Sequence, residues 1–149
     1  MKITLSKTQI HDSKFLYDLA SEKEVKESAF KQDHISYIEH CDWLHNKLNN
    51  SDCIMYVIYK PKNIPIGQIR FDLQEDNSYL VDISIKKAYR NKGFGKRALK
   101  MICNKIPFQG CKFIARIRPE NLASERLFVS CGFYLEDTPK EYRTYVKNT

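Results

Sequence analysis

The feature that most limits how this chain can fold is a helical stripe with a strand-like run on each side of it. Ala98, Leu99, Ile102, Cys103 and Ile106 recur at helical spacing, and Pro107 and Gly110 end the run. SYLVDISIK precedes it and CKFIARI follows it, both dense in branched and aromatic residues. A helix crossing over between two strands makes them parallel neighbours. The chain is therefore a mixed α/β protein with at least one parallel pair in its sheet.

The remaining segments arrange themselves around that pair. Residues 2–5 alternate weakly and read as an edge strand. Ile10, Phe15, Leu16 and Leu19 predict one helix, and Ile35, Ile38, Trp43, Leu44 and Leu48 a second, with a charged link over 22–33 between them. CIMYVIYK, PIGQIRFDL and SYLVDISIK, separated by KPKN and QEDN, predict three strands in an antiparallel meander. NLASERLFVSC reads as a helix opened by Asn121, and GFYLED with EYRTYVK as a closing strand pair. No repeat or linker interrupts the 149 residues, and 42% hydrophobic content suffices for one core, so a single domain over 1–149 is expected.

The five cysteines stand singly, without a paired spacing or a histidine placed for a metal, and are expected to be reduced, with no metal site. The first ten residues lack the apolar core of a signal peptide, and the longest apolar run, 54–59, is too short to span a bilayer. A cytoplasmic protein with no membrane partner is the expectation.

The loop that opens the central helix, YRNKGFGKRALK, carries the chemistry. Gly93 to Ala98 satisfies the dinucleotide pattern G-x-G-x-x-A, but the first glycine comes several residues after the strand. Three strands and two helices also precede the unit, and the next strand ends without a clear ribose-binding carboxylate. A Walker loop is excluded, because Lys96 lacks the required glycine spacing and no Ser or Thr follows it. Arg90, Lys92, Lys96 and Arg97 crowd the positive end of a helix, at a cost of about 0.3–1 kcal/mol each when exposed. A bound polyanion reverses that cost, and the backbone amides from Asn91 to Lys96, including Gly93, Phe94 and Gly95, would cradle it. The net charge of +7 steers anions toward the protein. It does not name one; direct nucleic-acid binding lacks an aromatic-interleaved basic motif.

Arg90-x-x-Gly93-x-Gly95 resembles the signature of the GNAT superfamily of acetyl-CoA-dependent N-acetyltransferases. The element order is similar as well, YLVDISI occupies the place of the family's central splayed strand, and NLASERLFVSCGF resembles its later helical segment. The resemblance implies an α+β GNAT fold, with a mixed sheet of about six to seven strands flanked by about four helices and with splayed central parallel strands. It implies acetyl-CoA lying between those strands, its pyrophosphate on the 91–96 amides with Arg90, and its pantetheine arm along Ile83, Ser84 and Ile85 like an added strand. Asn121, Ser124 and Phe128 would complete the cofactor site. Asn121 also reads as a helix N-cap, with Ser124 as its N3 residue.

Acetyl transfer needs a neutral amine, a donor to the developing oxyanion and often an acid for the leaving thiolate. The resemblance places the donor at the backbone of Ile83 or Ser84. Asp82 is the first candidate for the base, sharing a strand face with Leu80 and Ser84, and Asp72 and His40 are alternatives. Phe128 stands where the family often has a tyrosine, so the general acid is not assigned, and a non-catalytic acyl-CoA sensor is the reading from another class. EVKESAFKQDHISYIEHCDW resembles the acceptor segment of family members that acetylate nucleotide-linked amino-deoxysugars, which implies substrate roles for Lys26, Ser28, Phe30, His40 and Trp43. The alternatives are acetylation of a protein N-terminus, a lysine or a small amine. Homodimerisation is left open.

Overall fold

The structure, a computed structural model, describes all residues except 1, 30–34, 104, 106, 107, 109, 138–140 and 149. The strands are β1 (Thr4–Lys7), β2 (Cys53–Lys60), β3 (Ile64–Leu73), β4 (Tyr79–Ile85), β5 (Lys112–Ile117), β6 (Tyr134–Asp137) and β7 (Arg143–Asn148). They form one seven-stranded sheet in the order β1-β2-β3-β4-β5-β7-β6. The helices are α1 (Ser13–Ala20), α2 (Lys23–Ser28), α3 (Tyr37–Leu48), α4 (Phe94–Cys103) and α5 (Leu122–Ser130). β4 and β5 are parallel, as the crossover through α4 requires, and every other pairing is antiparallel.

Strand alternation divides the core. On one face, Leu99 and Ile102 of α4 and Phe128 of α5 pack against Ile69, Phe71, Val81 and Phe113. On the other, Leu16 of α1 and Leu44 of α3 cover Met55 and Val57. Leu44 is fully buried, which stabilises the fold by about 1.5–3 kcal/mol relative to an exposed position. Ala98, Leu99, Ile102 and Cys103 of the predicted stripe are all buried, while Ile106 lies outside the described residues.

Two expectations need correction. The charged link contains a helix, α2, which makes five helices among the described residues. KEVKES holds Val25 as its one bulky apolar residue and has no buried side chain, so periodicity had nothing to register. In α3 the inner stripe runs through His40 and Leu44, and Ile35 and Ile38, expected in the core, are 38% and 74% exposed. Ser36 fixes where α3 begins: its hydroxyl accepts from the Glu39 amide while Glu39 accepts from the Ser36 amide, a reciprocal cap.

Candidate active site

The sheet opens between β4 and β5. They pair only at Tyr79–Phe113 and Leu80–Ile114, yet β4 stays paired with β3 as far as Ile85 and β5 with β7 as far as Ile117. Alternate backbone groups of 81–85 on the β5 side are therefore free of strand partners, an edge to which an extended chain can be added. This is the stretch holding Ile83, Ser84 and Ile85.

At the end of β4 the chain turns through Asn91 (φ 61°) and Gly93 (φ 85°) into α4. Both are left-handed, a conformation that glycine adopts freely and asparagine tolerates. The first α4 hydrogen bond runs from the Arg97 amide to the Gly93 carbonyl, so the amides before Arg97 have no intrahelical acceptor. There is no acid in the first turn, and Lys92, Lys96 and Arg97 are exposed around it. Free amides at a helix N-terminus ringed by cations fit a polyphosphate. Gly95 serves packing instead: a Cβ there would lie 2.9 Å from Leu127 Cδ1 and 3.5 Å from Ile85 Cγ1. Phe94 is likewise buried, against Ile58, Ile66 and Ala98.

Arg90 is engaged elsewhere. Its Nε donates to the Ile85 carbonyl at 2.8 Å, and its Nη2 and Nη1 pair with Glu22 at 2.7 Å and Glu24 at 3.3 Å. Asn121 caps α5, its Oδ1 accepting from the Ser124 amide at 3.1 Å, and its Nδ2 donates to Ser28 Oγ. Phe128 is 4% exposed and sits in the core with Phe133, their ring centroids 5.0 Å apart. Phe128 is therefore a packing residue.

The opposite face of β4 carries a polar cluster. The Asp82 carboxylate accepts from Gln68 Nε2 at 2.9 Å, and the same amide reaches Ser84 Oγ at 3.3 Å. Half of the Asp82 side chain is exposed, and Arg70 Nη2 stands 3.9 Å away. Asp72 is committed to structure: Lys47 and Arg70 contact it at 3.0 and 2.9 Å. Burial raises its pKa, but the two cations outweigh burial and hold the carboxyl below the ordinary range. It is a weaker base than an open carboxylate. Beyond the Leu80–Ile114 pair, Asp82 and Arg116 each follow two residues on, and so belong to the same face of the sheet.

His40 and Trp43 are brought together, with ring centroids 5.5 Å apart, and Trp43 stacks on the Arg70 guanidinium. His40 is not an open site residue: it is 3% exposed, edge-on to Tyr17, and its Nδ1 has no hydrogen-bond partner among the described residues. Burial pushes its pKa below the usual imidazole value. The unfolded state then binds the proton more readily, so His40 contributes stability above an ordinary imidazole pKa of about 6.5 and loses it as the pH falls. His40→Gln should flatten the fall in urea stability between about pH 7 and 5 that wild type shows. An equally steep fall in the variant would assign it to other groups.

Lys26 and Ser28 are exposed on α2, and Phe30 lies outside the described residues. Gln68, Arg70, Glu22 and Arg118 were missed by sequence reasoning. Alternation in PIGQIRFDL did carry a signal, since Gln68, Arg70 and Asp72 share one face of β3.

A family model for the acetyltransferase (GNAT) domain matches residues 2–134. No curated protein matches the chain. Among solved structures, the spermidine N-acetyltransferase of Vibrio cholerae in complex with CoA and spermine superposes with a TM-score of 0.84 at 16% identity, covering 97% of this chain and 92% of that one. A domain from Methanocaldococcus jannaschii gives 0.85 at 20% identity, covering 99% of both chains. AAC(6')-Ib in complex with paromomycin and acetyl-CoA gives 0.82 at 18%, covering 99% and 94%.

Proposed function

The chain belongs to the GNAT acetyltransferase family, and from that premise we propose that its acceptor is a primary amine on an anionic carrier, an amino-deoxysugar linked to a nucleotide. The protein is an acetyl-CoA-dependent N-acetyltransferase. Acetyl-CoA supplies the activated acetyl group. In this proposal the amides of 91–96, with Lys92 and Lys96, hold its pyrophosphate, and the backbone of Ile83, Ser84 and Ile85 takes its pantetheine arm.

Asp82 takes the proton from the acceptor ammonium, directly or through one water, because an ammonium has no lone pair with which to attack. Gln68 orients the carboxylate by donating to it and leaves one side open to solvent. A backbone N–H of Ile83 or Ser84 donates to the carbonyl oxygen as it gains charge, worth about 2.7–4 kcal/mol for such a donor.

The observation that carries the acceptor class is the charge around Asp82. One half-exposed carboxylate stands 3.9 Å from Arg70, on the sheet face to which Arg116 of β5 also belongs. A polyamine needs several carboxylates along its length, whereas a single amine on a phosphate-bearing carrier needs one acid and several cations. Two of the solved neighbours make the other reading concrete, one in complex with spermine and one with paromomycin. Thermal melting with acetyl-CoA, nucleotide-linked amino sugars, spermidine and an aminoglycoside, singly and paired, separates the two. Acetyl-CoA should raise Tm, and one sugar nucleotide should raise it further and turn over. A second shift given only by spermidine or the aminoglycoside would replace the sugar nucleotide with a polycationic acceptor.

A further inference from the structure

The short helix α2 is held in a way its own sequence does not explain. It spans six residues with none buried, too few turns to persist on propensity or burial. What fixes it lies at its two ends. At the first, Glu22 Oε1 accepts from Arg90 Nη2 at 2.7 Å and from the Lys87 amide at 3.0 Å, and Glu24 adds a second contact to Arg90. Arg90 is itself pinned to the last residue of β4 through the Ile85 carbonyl. At the other end, Nε and Nη2 of Arg118 donate to the Ala29 carbonyl at 3.1 and 2.7 Å, and Asn121 donates to Ser28 Oγ at 3.1 Å.

One end of α2 is thus tied to the chain just after β4 and the other to the chain just after β5. Those are the two strands that part to make the site. α2 bridges the opening at its wide end.

We propose that Glu22 and Arg90 form a latch holding α2 over the acceptor side of the opening, and that Arg90 and Asn121 are positioning residues rather than cofactor ligands. This rests on the reading of the opening as the acetyl-transfer site. Each nitrogen of the Arg90 guanidinium already has a protein partner, a carbonyl for Nε and a carboxylate for each terminal nitrogen, which fixes the plane of the group toward α2. Turning to a pyrophosphate would remove the charge partner of Glu22, whose side chain is only 21% exposed, and leave it the Lys87 amide. Both ends of the Asn121 amide likewise have protein partners, Ser28 at the nitrogen and Ser124 at the oxygen, which hold its orientation. Since α2 carries Lys26 and Ser28, the latch sets where acceptor-facing groups stand.

The test uses the full chain with acetyl-CoA as the probe. Calorimetry gives its Kd for wild type, Glu22→Gln, Arg90→Gln and the double variant, and timed trypsinolysis with mass spectrometry gives cleavage after Lys23 and Lys26. Both single variants should keep the wild-type Kd within about threefold, while cleavage rises about tenfold in each and no further in the double, as for two halves of one contact. Arg118→Ala, at the other tether, should raise the same cleavage. Weakened acetyl-CoA binding in Arg90→Gln, or cleavage unchanged in Glu22→Gln, overturns the latch. Wild type failing to bind acetyl-CoA would overturn the reading of the opening itself, and the latch role with it.

Discussion

Gly67→Ala is expected to lower stability by about 3 kcal/mol and Tm by about 6–12 °C, from one added methyl group. Gly67 faces Ile85 across the β3–β4 ladder. A Cβ there would lie 2.5 Å from the Ser84 carbonyl oxygen, 2.8 Å from Ile85 Cδ1 and 3.3 Å from Ile85 Cα. The Ile85 tip can rotate away. The carbonyl cannot move without opening the ladder, and it belongs to the strand that borders the active-site gap. Gly67 also sits beside the register shift at Ile58/Tyr59, so β3 has little freedom to slide. The loss of Tm should therefore come with weaker acetyl-CoA binding, because the backbone of Ser84 and Ile85 is displaced. A Tm within about 2 °C of wild type would mean that the sheet relaxes around the methyl group far more cheaply than packed interiors do.

How much of this was legible in the sequence depended on whether local rules governed the residue. The β4-α4-β5 crossover was readable because α4 shows a clean stripe between two strand-like runs, and parallel pairing follows from connectivity alone. Asn121 as a cap was readable because its role is local. The face of Asp82 followed from alternation.

Residues governed by distant partners were not readable. Arg90 looked like an anion ligand because it stands among the cations and glycines that open α4, but its carboxylate partners come from the start of α2, 68 residues away for Glu22. His40 looked like a site residue because histidines titrate near neutrality, whereas its spacing of four from Leu44 places it on the buried side of α3. The same phase explains why Ile38, two residues before His40 and so nearly opposite it around the helix, is exposed. α2 was invisible for a related reason: its stability comes from tethers at its ends, not from a face it buries.

Gly93→Glu should weaken acetyl-CoA binding by about a hundredfold or more, a loss of about 2.7 kcal/mol, while the protein stays folded. Two terms act on stability, and they oppose each other. At φ 85° any side chain is strained, by about 1–2 kcal/mol. A carboxylate at the start of α4, whose first turn holds no acid, interacts favourably with the helix dipole by about 0.3–1 kcal/mol. The net change is small. The effect on binding has no such offset, because the carboxylate enters the anion cradle, where it competes for the amides and repels the pyrophosphate. Gly93→Asn separates backbone from charge: asparagine tolerates the left-handed region, as Asn91 does two residues earlier, and adds no charge. It should keep acetyl-CoA affinity within about tenfold of wild type. Calorimetric titration of both variants with acetyl-CoA decides the matter. Near-equal losses would assign the effect to loop conformation, and affinity retained in Gly93→Glu would place the pyrophosphate away from these amides.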